Sequence, residues 1–178
     1  MKVKYSKSLD LAEQQMVDCD TTDNGCNGGH PVNALAYVQK YGLTTEAKYP
    51  YTQKVGTCKS FTPVAKVTGV KALGDGENLL AEALANKGTV AVGIYASLDS
   101  FRYYKAGTIY SDASCPNRYM NHCVTAVGYG VQNGQEYWLI RNSWGTSWGD
   151  NGYFMLAKNK NYMCGIGRDS TIPTDVSQ

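Results

Sequence analysis

The chain has 178 residues, 43% of them hydrophobic, and 17 Lys and Arg against 15 Asp and Glu leave a net charge of +2. That length supports one domain, or two small lobes sharing an interface, around a real core. The lysines are scattered rather than grouped, which argues against a nucleic-acid partner, and no apolar stretch approaches the ~20 residues that span a bilayer. The opening MKVKYSKSLD lacks the apolar centre of a signal peptide.

The six cysteines favour an oxidising compartment or a metal. Metal is the weaker reading, because Cys19 and Cys26 are too widely spaced for a Cys-x-x-Cys clip and the two histidines are scattered. Disulfides remain, with their connectivity open.

In chain order, Leu11 to Asp18 reads as a short helix, with Asp10 and Glu13 placed as a capping box. Asp23-Asn-Gly-Cys-Asn-Gly-Gly29 follows. Its glycines permit positive φ and the close approach of another backbone, or simply make a surface turn. His30-Pro31 opens a helix with the stripe Val32, Leu35, Ala36 and Val38, and Gly42 stops it. Residues 42–60 are loop-like. Val64 to Leu73 reads as a strand, Leu79 to Asn86 as a helix ended near Gly88, and Thr89 to Ala96 as a β-rich run. The tract from Ser97 to Asn117 is polar and aromatic, and Phe101, Tyr103 and Tyr104 read either as a stacking platform or, more commonly, as residues that close a loop onto a sheet. Gly152 to Ala157 adds a strand, and the tail carries Cys164 and residues 165–173.

Residues 122–130 alternate, with His122, Val124, Ala126 and Gly128 on one face. Residues 136–141 are rich in Tyr, Trp, Leu and Ile, as a packed strand is. Asn133-Gly134 between them signals a hairpin. Antiparallel pairing folds Asn142 back beside residues 124–125, so His122 and Asn142 come close in space. A two-residue turn would put them on opposite faces; an odd connection, such as three residues with Gly134 left-handed, would put them on one. The odd connection is expected. An imidazole base needs a partner that fixes its tautomer and ring angle, and an amide oxygen does so without adding charge. A core histidine satisfied by an amide would show the same pair.

The run N-H-C-V-T-A-V-G-Y-G, followed by Y-W-L-I-R-N-S-W-G-T-S-W-G-D-N-G-Y, resembles the second half of a papain-like cysteine peptidase of the cathepsin L-type branch. The resemblance runs from about Leu11 to Pro173. It implies an α+β, two-lobe fold within a single domain, residues 1–178. A helical lobe, incomplete here, covers roughly residues 1–62, and an antiparallel, β-barrel-like lobe covers 63–178. His122 becomes the general base and acid, Asn142 its orienter and Trp144 a shield over their hydrogen bond. The implied disulfides are Cys19–Cys58 and Cys115–Cys164, which leaves Cys26 and Cys123 outside them. Gly28 and Gly29 form one wall of a cleft, where Gly29 binds peptide by strand-like addition. His30, Pro31, Gly93, Met120 and Asn121 border bound substrate. Asp169 faces the bottom of the pocket for the second residue on the acyl side, which would admit Arg or Lys beside apolar side chains. No cofactor or metal is implied. Peptide or protein substrates, a propeptide or a protein inhibitor are the expected partners, in a lysosomal, vacuolar or secreted setting. No occluding-loop-like insertion is present, so endopeptidase action is expected.

The same resemblance exposes a gap. The nucleophilic cysteine is expected roughly 130–150 residues before the histidine and asparagine. Counting back lands about eight positions before the first residue. Cys123 alternates to the far face of its strand, and the resemblance bridges Cys26 to a cysteine that precedes the nucleophile. Met1 falls where the family's central helix would end, which reads as truncation and would leave Val32, Leu35 and Val38 facing water. Two functions follow: a cysteine endopeptidase represented without its N-terminal segment, or a non-catalytic papain-fold protein acting as a peptide-binding or structural subunit.

Overall fold

A computed structural model of the chain describes residues 8–177; Met1 and the other opening residues read above lie outside them. Helices α1 (Glu13–Cys19), α2 (Pro31–Tyr41), α3 (Glu77–Lys87) and α4 (Asp99–Arg102) accompany seven strands. These are β1 (Lys66–Ala72), β2 (Val90–Ile94), β3 (Ile109–Tyr110), β4 (His122–Gln132), β5 (Gln135–Arg141), β6 (Tyr153–Ala157) and β7 (Ser170–Ser177). The fold is α+β. The sheet order is β1-β7-β2-β4-β5-β6-β3. Most neighbours with a resolved register pair antiparallel, but β3 runs parallel to β6, and the order has two edges rather than closing into a barrel. Among the described residues, no helix is long and apolar enough to cross a membrane. The chain divides into two compact units, residues 8–71 with 173–177 and Ala72–Ile172.

In the first unit, the capping box at Asp10 does not form. Ala12 precedes α1 and no side chain caps it. Leu11 bridges Thr45, and the Ala12 N–H donates to the Thr44 carbonyl at 3.1 Å. The backbone is therefore still extended where the box would need to begin turning. Helix α1 buries two glutamines. Gln15 donates to the Tyr37 hydroxyl at 3.1 Å and the Gly42 carbonyl at 2.8 Å, while its Oε1 accepts from Thr44 N–H at 2.9 Å. With these bonds made, burying the amide costs little. Helix α2 starts at Pro31 and ends at Gly42, whose φ of 74° suits glycine. Its buried residues are Tyr37 and Val38, packed with Leu43 and Val67. Of the residues expected to face water, Val32 does so; Leu35 and Val38 pack against that cluster. The Cys19–Cys58 disulfide ties the end of α1 to the loop after α2. Beside it, burial opposes charge on Asp18, but hydrogen bonds from Gly56, Gln14 and Tyr49 prevail and hold its carboxyl below the usual range.

The second unit holds the larger core. Val90, Val92 and Ile94 of β2, Val124 and Ala126 of β4, and Trp138 and Ile140 of β5 are buried with Phe154, Leu156 and Ile166. The side-chain alternation read from β4 holds up to Ala126. The Cys115–Cys164 disulfide fastens the loop before β4 to the turn before β7. Glu77, at the start of α3, is buried and accepts from Trp138 Nε1–H and Asn159 N–H, each at 2.9 Å.

The β4–β5 connection corrects the expected turn. Gln132 pairs with Gln135, so the loop is the two residues Asn133 and Gly134, at φ 52° and 79°. Both are left-handed, as a tight hairpin of this hand requires. The odd residue sits instead within β4, where a bulge places Val127 between Ala126, paired with Ile140, and Gly128, paired with Leu139. Beyond the bulge, Thr125 pairs with Arg141. Continuing that register sets residue 124 opposite Asn142 and returns His122 to its face. The parity argument was right in requiring an odd residue and wrong about where it lies. Deleting Val127 should therefore straighten β4 and keep His122 and Asn142 on one face. Deleting Val127 and Gly128 together should separate them. A slowly exchanging imidazole N–H of His122 in proton NMR should persist in the first variant and vanish in the second.

Candidate active site

His122 is held along the β2 edge of its strand. It opens β4, pairs with Ile94 of β2, and follows Asn121, whose N–H donates to the Ile94 carbonyl at 3.0 Å. Asn142 follows β5, and its N–H donates to the Gly152 carbonyl at 2.8 Å, closing the loop 142–152 on itself. Gly149 makes that closure possible: at φ 58° a Cβ there would lie 2.5 Å from the Tyr153 carbonyl oxygen. Side chains then meet. His122 Nε2 lies 2.8 Å from Asn142 Oδ1.

Which atoms carry protons follows from the neighbours. Asn142 Oδ1 also accepts from the Ser143 N–H at 2.8 Å, so the oxygen, not the nitrogen, faces both groups. An amide oxygen only accepts, so Nε2 carries hydrogen and the neutral ring keeps its lone pair on Nδ1. Asn142 is only 6% exposed, and its buried Nδ2 has no hydrogen-bond partner among the described residues. Leaving such a donor unmet costs about 1–3 kcal/mol, so the fold sacrifices one amide group to aim the other. The Trp144 indole lies beside the imidazole, 5.3 Å away centroid to centroid and tilted by 31°.

A second group of expected residues also meets. A Cβ on Gly93 would lie 3.3 Å from Met120 Cβ and 3.4 Å from Asp169 Cβ. Gly93 N–H donates to the Asp169 carbonyl at 2.9 Å. The half-buried Asp169 carboxylate has no hydrogen bond or ion pair among the described residues. The Asn121 side chain accepts from Ala96 N–H at 3.0 Å and donates to Ser97 Oγ at 2.7 Å, so it braces the loop after β2, while the residue itself stays exposed. Cys123 lies on the outer face of β4, and Cys26 is exposed in the turn Gly25–Asn27; both are outside the disulfides. In the first unit, Gly28, Gly29 and His30 are exposed and Pro31 is half-buried at the start of α2.

The sequence did not reveal what holds Trp144. Phe101 of α4 is fully buried, with its ring 5.6 Å from Trp144, 5.3 Å from Trp148 and 5.0 Å from Phe154. Trp148 stands edge-on to Trp144 at 5.1 Å and donates from Nε1 to the Arg102 carbonyl at 2.8 Å. Phe101 and Tyr104 do close the 97–117 loop onto the sheet, while Tyr103 is 82% exposed. Ser100, beside Phe101, donates to Asp112 at 2.6 Å. Hydrogen bonds from Ser100 and Ser114 hold the Asp112 carboxyl down to about 2. The aromatic spacing was visible in sequence, but which ring turns inward depends on the four-residue helix α4.

Two substitutions separate aim from support. Asn142→Ala should abolish the hydrogen-bonded His122 Nε2–H resonance at little cost to thermal stability, since it also removes the unmet donor. Phe101→Ala should cost about 3–5 kcal/mol of unfolding free energy in denaturant titration and should free Trp144, seen as a red-shifted, more quenchable tryptophan emission.

Comparisons with known proteins give the family. Residues 1–174 match the model of the family described as papain family cysteine protease. Cysteine proteinase 3 of Entamoeba histolytica is 58% identical over 172 residues, covering 96% of this chain and 56% of that protein. Cathepsin K of Mus musculus is 42% identical over 177 residues, covering 97% of this chain and 54% of its own length. The structure of digestive procathepsin L2 proteinase from Tenebrio molitor larval midgut superposes with a TM-score of 0.92 at 39% identity, covering 98% of this chain and 56% of that one. Procathepsin L 3 from the same tissue gives 0.91 at 34% identity, over 97% and 58%. The chain thus spans a little over half the length of the relatives it matches. With the family model matched over residues 1–174, and a histidine, an asparagine and a tryptophan brought together around the end of β5, the chain belongs to the papain family of cysteine proteases.

Proposed function

We propose that this chain supplies the acid–base half of a cysteine endopeptidase. The carrying observation is the 2.8 Å bond between His122 Nε2 and Asn142 Oδ1, which leaves Nδ1 as the proton acceptor. In the proposed reaction, Nδ1 takes the proton of a thiol, and the thiolate attacks the scissile carbonyl. The resulting imidazolium carries a proton on each nitrogen, the Nε2–H still held by Asn142. It returns the Nδ1 proton to the leaving amine and frees the first product. Ring and amide keep their places throughout, so little reorganisation is needed between steps.

The nucleophile is proposed to come from outside residues 1–178, because Cys123 points away from the imidazole by strand alternation. Native material should then have a mass above that of these residues and one thiol that alkylates with an epoxide inhibitor. That alkylation should be lost on His122→Ala. A native mass matching these residues alone, with no alkylation, would favour the alternative of a non-catalytic peptide-binding or structural subunit.

Substrate selection is proposed to rest on two features. Gly29 binds an extended peptide backbone, with His30 and Pro31 beside it, and Asp169 at Gly93 and Met120 accepts a basic second residue. Met120 and Gly93 supply apolar wall, and the partnerless carboxylate supplies the charge that Arg or Lys would neutralise. A propeptide is the expected natural occupant before activation, and a lysosomal, vacuolar or secreted setting suits the disulfides. Intact enzyme should cleave Phe-Arg and Arg-Arg dipeptidyl reporters comparably. Asp169→Asn should lower kcat/KM for Arg-Arg about tenfold or more, as loss of a charge-assisted bond does, and leave Phe-Arg within twofold. Refusal of Arg-Arg by unaltered enzyme would rule out the Asp169 role.

A further inference from the structure

The exposed Gly28–Gly29 segment owes its shape to a side chain that no motif marks. Asp23 Oδ1 accepts from the His30 N–H at 3.1 Å and from Asn33 Nδ2–H at 2.9 Å. The same carboxyl group lies flat against Gly29: a Cβ there would sit 2.4 Å from Asp23 Cγ and 2.6 Å from Oδ2. On the other side, Gly28 is used up by the turn. Its N–H donates to Gly25 at 3.3 Å, and its carbonyl accepts from Asn24 N–H at 2.9 Å. Gly29 differs from both neighbours. Neither its N–H nor its carbonyl bonds to any described residue. The segment is therefore clamped at 28 by the turn and at 30 by Asp23, with one residue's donor and acceptor left unspent between the clamps.

We infer that Asp23 is a positioning residue for the peptide backbone: it fixes Gly29 so that its N–H and carbonyl are pre-set to pair with an extended chain. The inference rests on the peptide-binding reading of Gly29 given above. Glycine alone has wide φ/ψ freedom, and binding a peptide would have to freeze it. A carboxylate that anchors the next N–H and the first turn of α2 removes that cost before the peptide arrives. Glycine is required at 29 for a matching reason, because any side chain there collides with the clamp.

The test uses the full chain, labelled with 15N and titrated with the blocked tripeptide acetyl-Leu-Phe-Arg-amide. In the unaltered chain, peptide should slow exchange of the Gly29 N–H with solvent. Asp23→Ala should shift the Gly29 and His30 amide resonances before any peptide is added and weaken peptide binding about tenfold, as loss of a charge-assisted hydrogen bond does. Asp23→Asn keeps an acceptor oxygen in place and should bind within about twofold of the unaltered chain. Asn33→Ala removes one anchor of the carboxylate, should lose affinity to an intermediate degree, and decides the matter if Asp23→Ala does not fold. Equal protection of Gly29 and equal affinity in the unaltered chain and the Ala variants would overturn the inference while leaving the peptide-binding reading intact. A peptide that fails to protect Gly29 in the unaltered chain would overturn both.

Discussion

The second unit converges on a single hydrogen bond, from His122 Nε2 to Asn142 Oδ1. The bond is short and partly covered, and it connects two strand ends that the hairpin must deliver to the same face. Every neighbouring feature bears on that delivery. The bulge at Val127 corrects the face, β2 fixes the strand end that carries the imidazole, and the closed loop from Asn142 to Gly152 fixes the amide. The buried Nδ2 of Asn142 has no hydrogen-bond partner among the described residues, a local cost that the packing around the loop must offset. Local cost at a site that the rest of the fold holds in place is a recurring sign of function.

The aromatic cluster turns that local bond into a property of the core. Phe154 belongs to β6, Phe101 to α4, and Trp144 and Trp148 to the loop between β5 and β6. Edge-to-face contacts of this kind add about 0.5–1.5 kcal/mol each beyond their burial. Trp144 is still 38% exposed, so one side of the indole packs and the other meets solvent. An apolar ring packed beside a hydrogen bond lowers the local dielectric, and hydrogen bonds are electrostatically stronger in such surroundings.

The first unit uses a different economy. It is small, and its apolar cluster centres on Tyr37, Val38, Leu43 and Val67. Polar side chains take on structural work that larger cores leave to hydrocarbon. Gln15 joins α1 to the loop after α2, Asp18 gathers Gln14, Tyr49 and Gly56, and Asp23 joins the glycine turn to α2. Such networks are costly when half made and rigid when complete. They leave Gly29, between Gly28 and His30, with backbone groups unbonded among the described residues.

By itself, the sequence determined the elements whose cause is local. The Pro31 start and Gly42 stop of α2, the Asn-Gly turn and the alternation of β4 up to Ala126 all follow from short-range sterics and periodicity. The histidine and asparagine were legible too, since strand pairing fixes their approach to within one residue. That last residue was decided only by tertiary structure: a bulge and an odd turn satisfy the same parity, and the packing of β4 between β2 and β5 selects the bulge. Likewise Asp10 spells a cap that bridging to residues 44–45 overrides, and the Asn121 side chain braces the loop at 96–97, a contact no local pattern marks. Gln15, Asp23 and Phe101 carry no motif, because their partners lie far along the chain or depend on which way a side chain turns. Local chemistry could name the histidine and the asparagine; only long-range packing could bring them together.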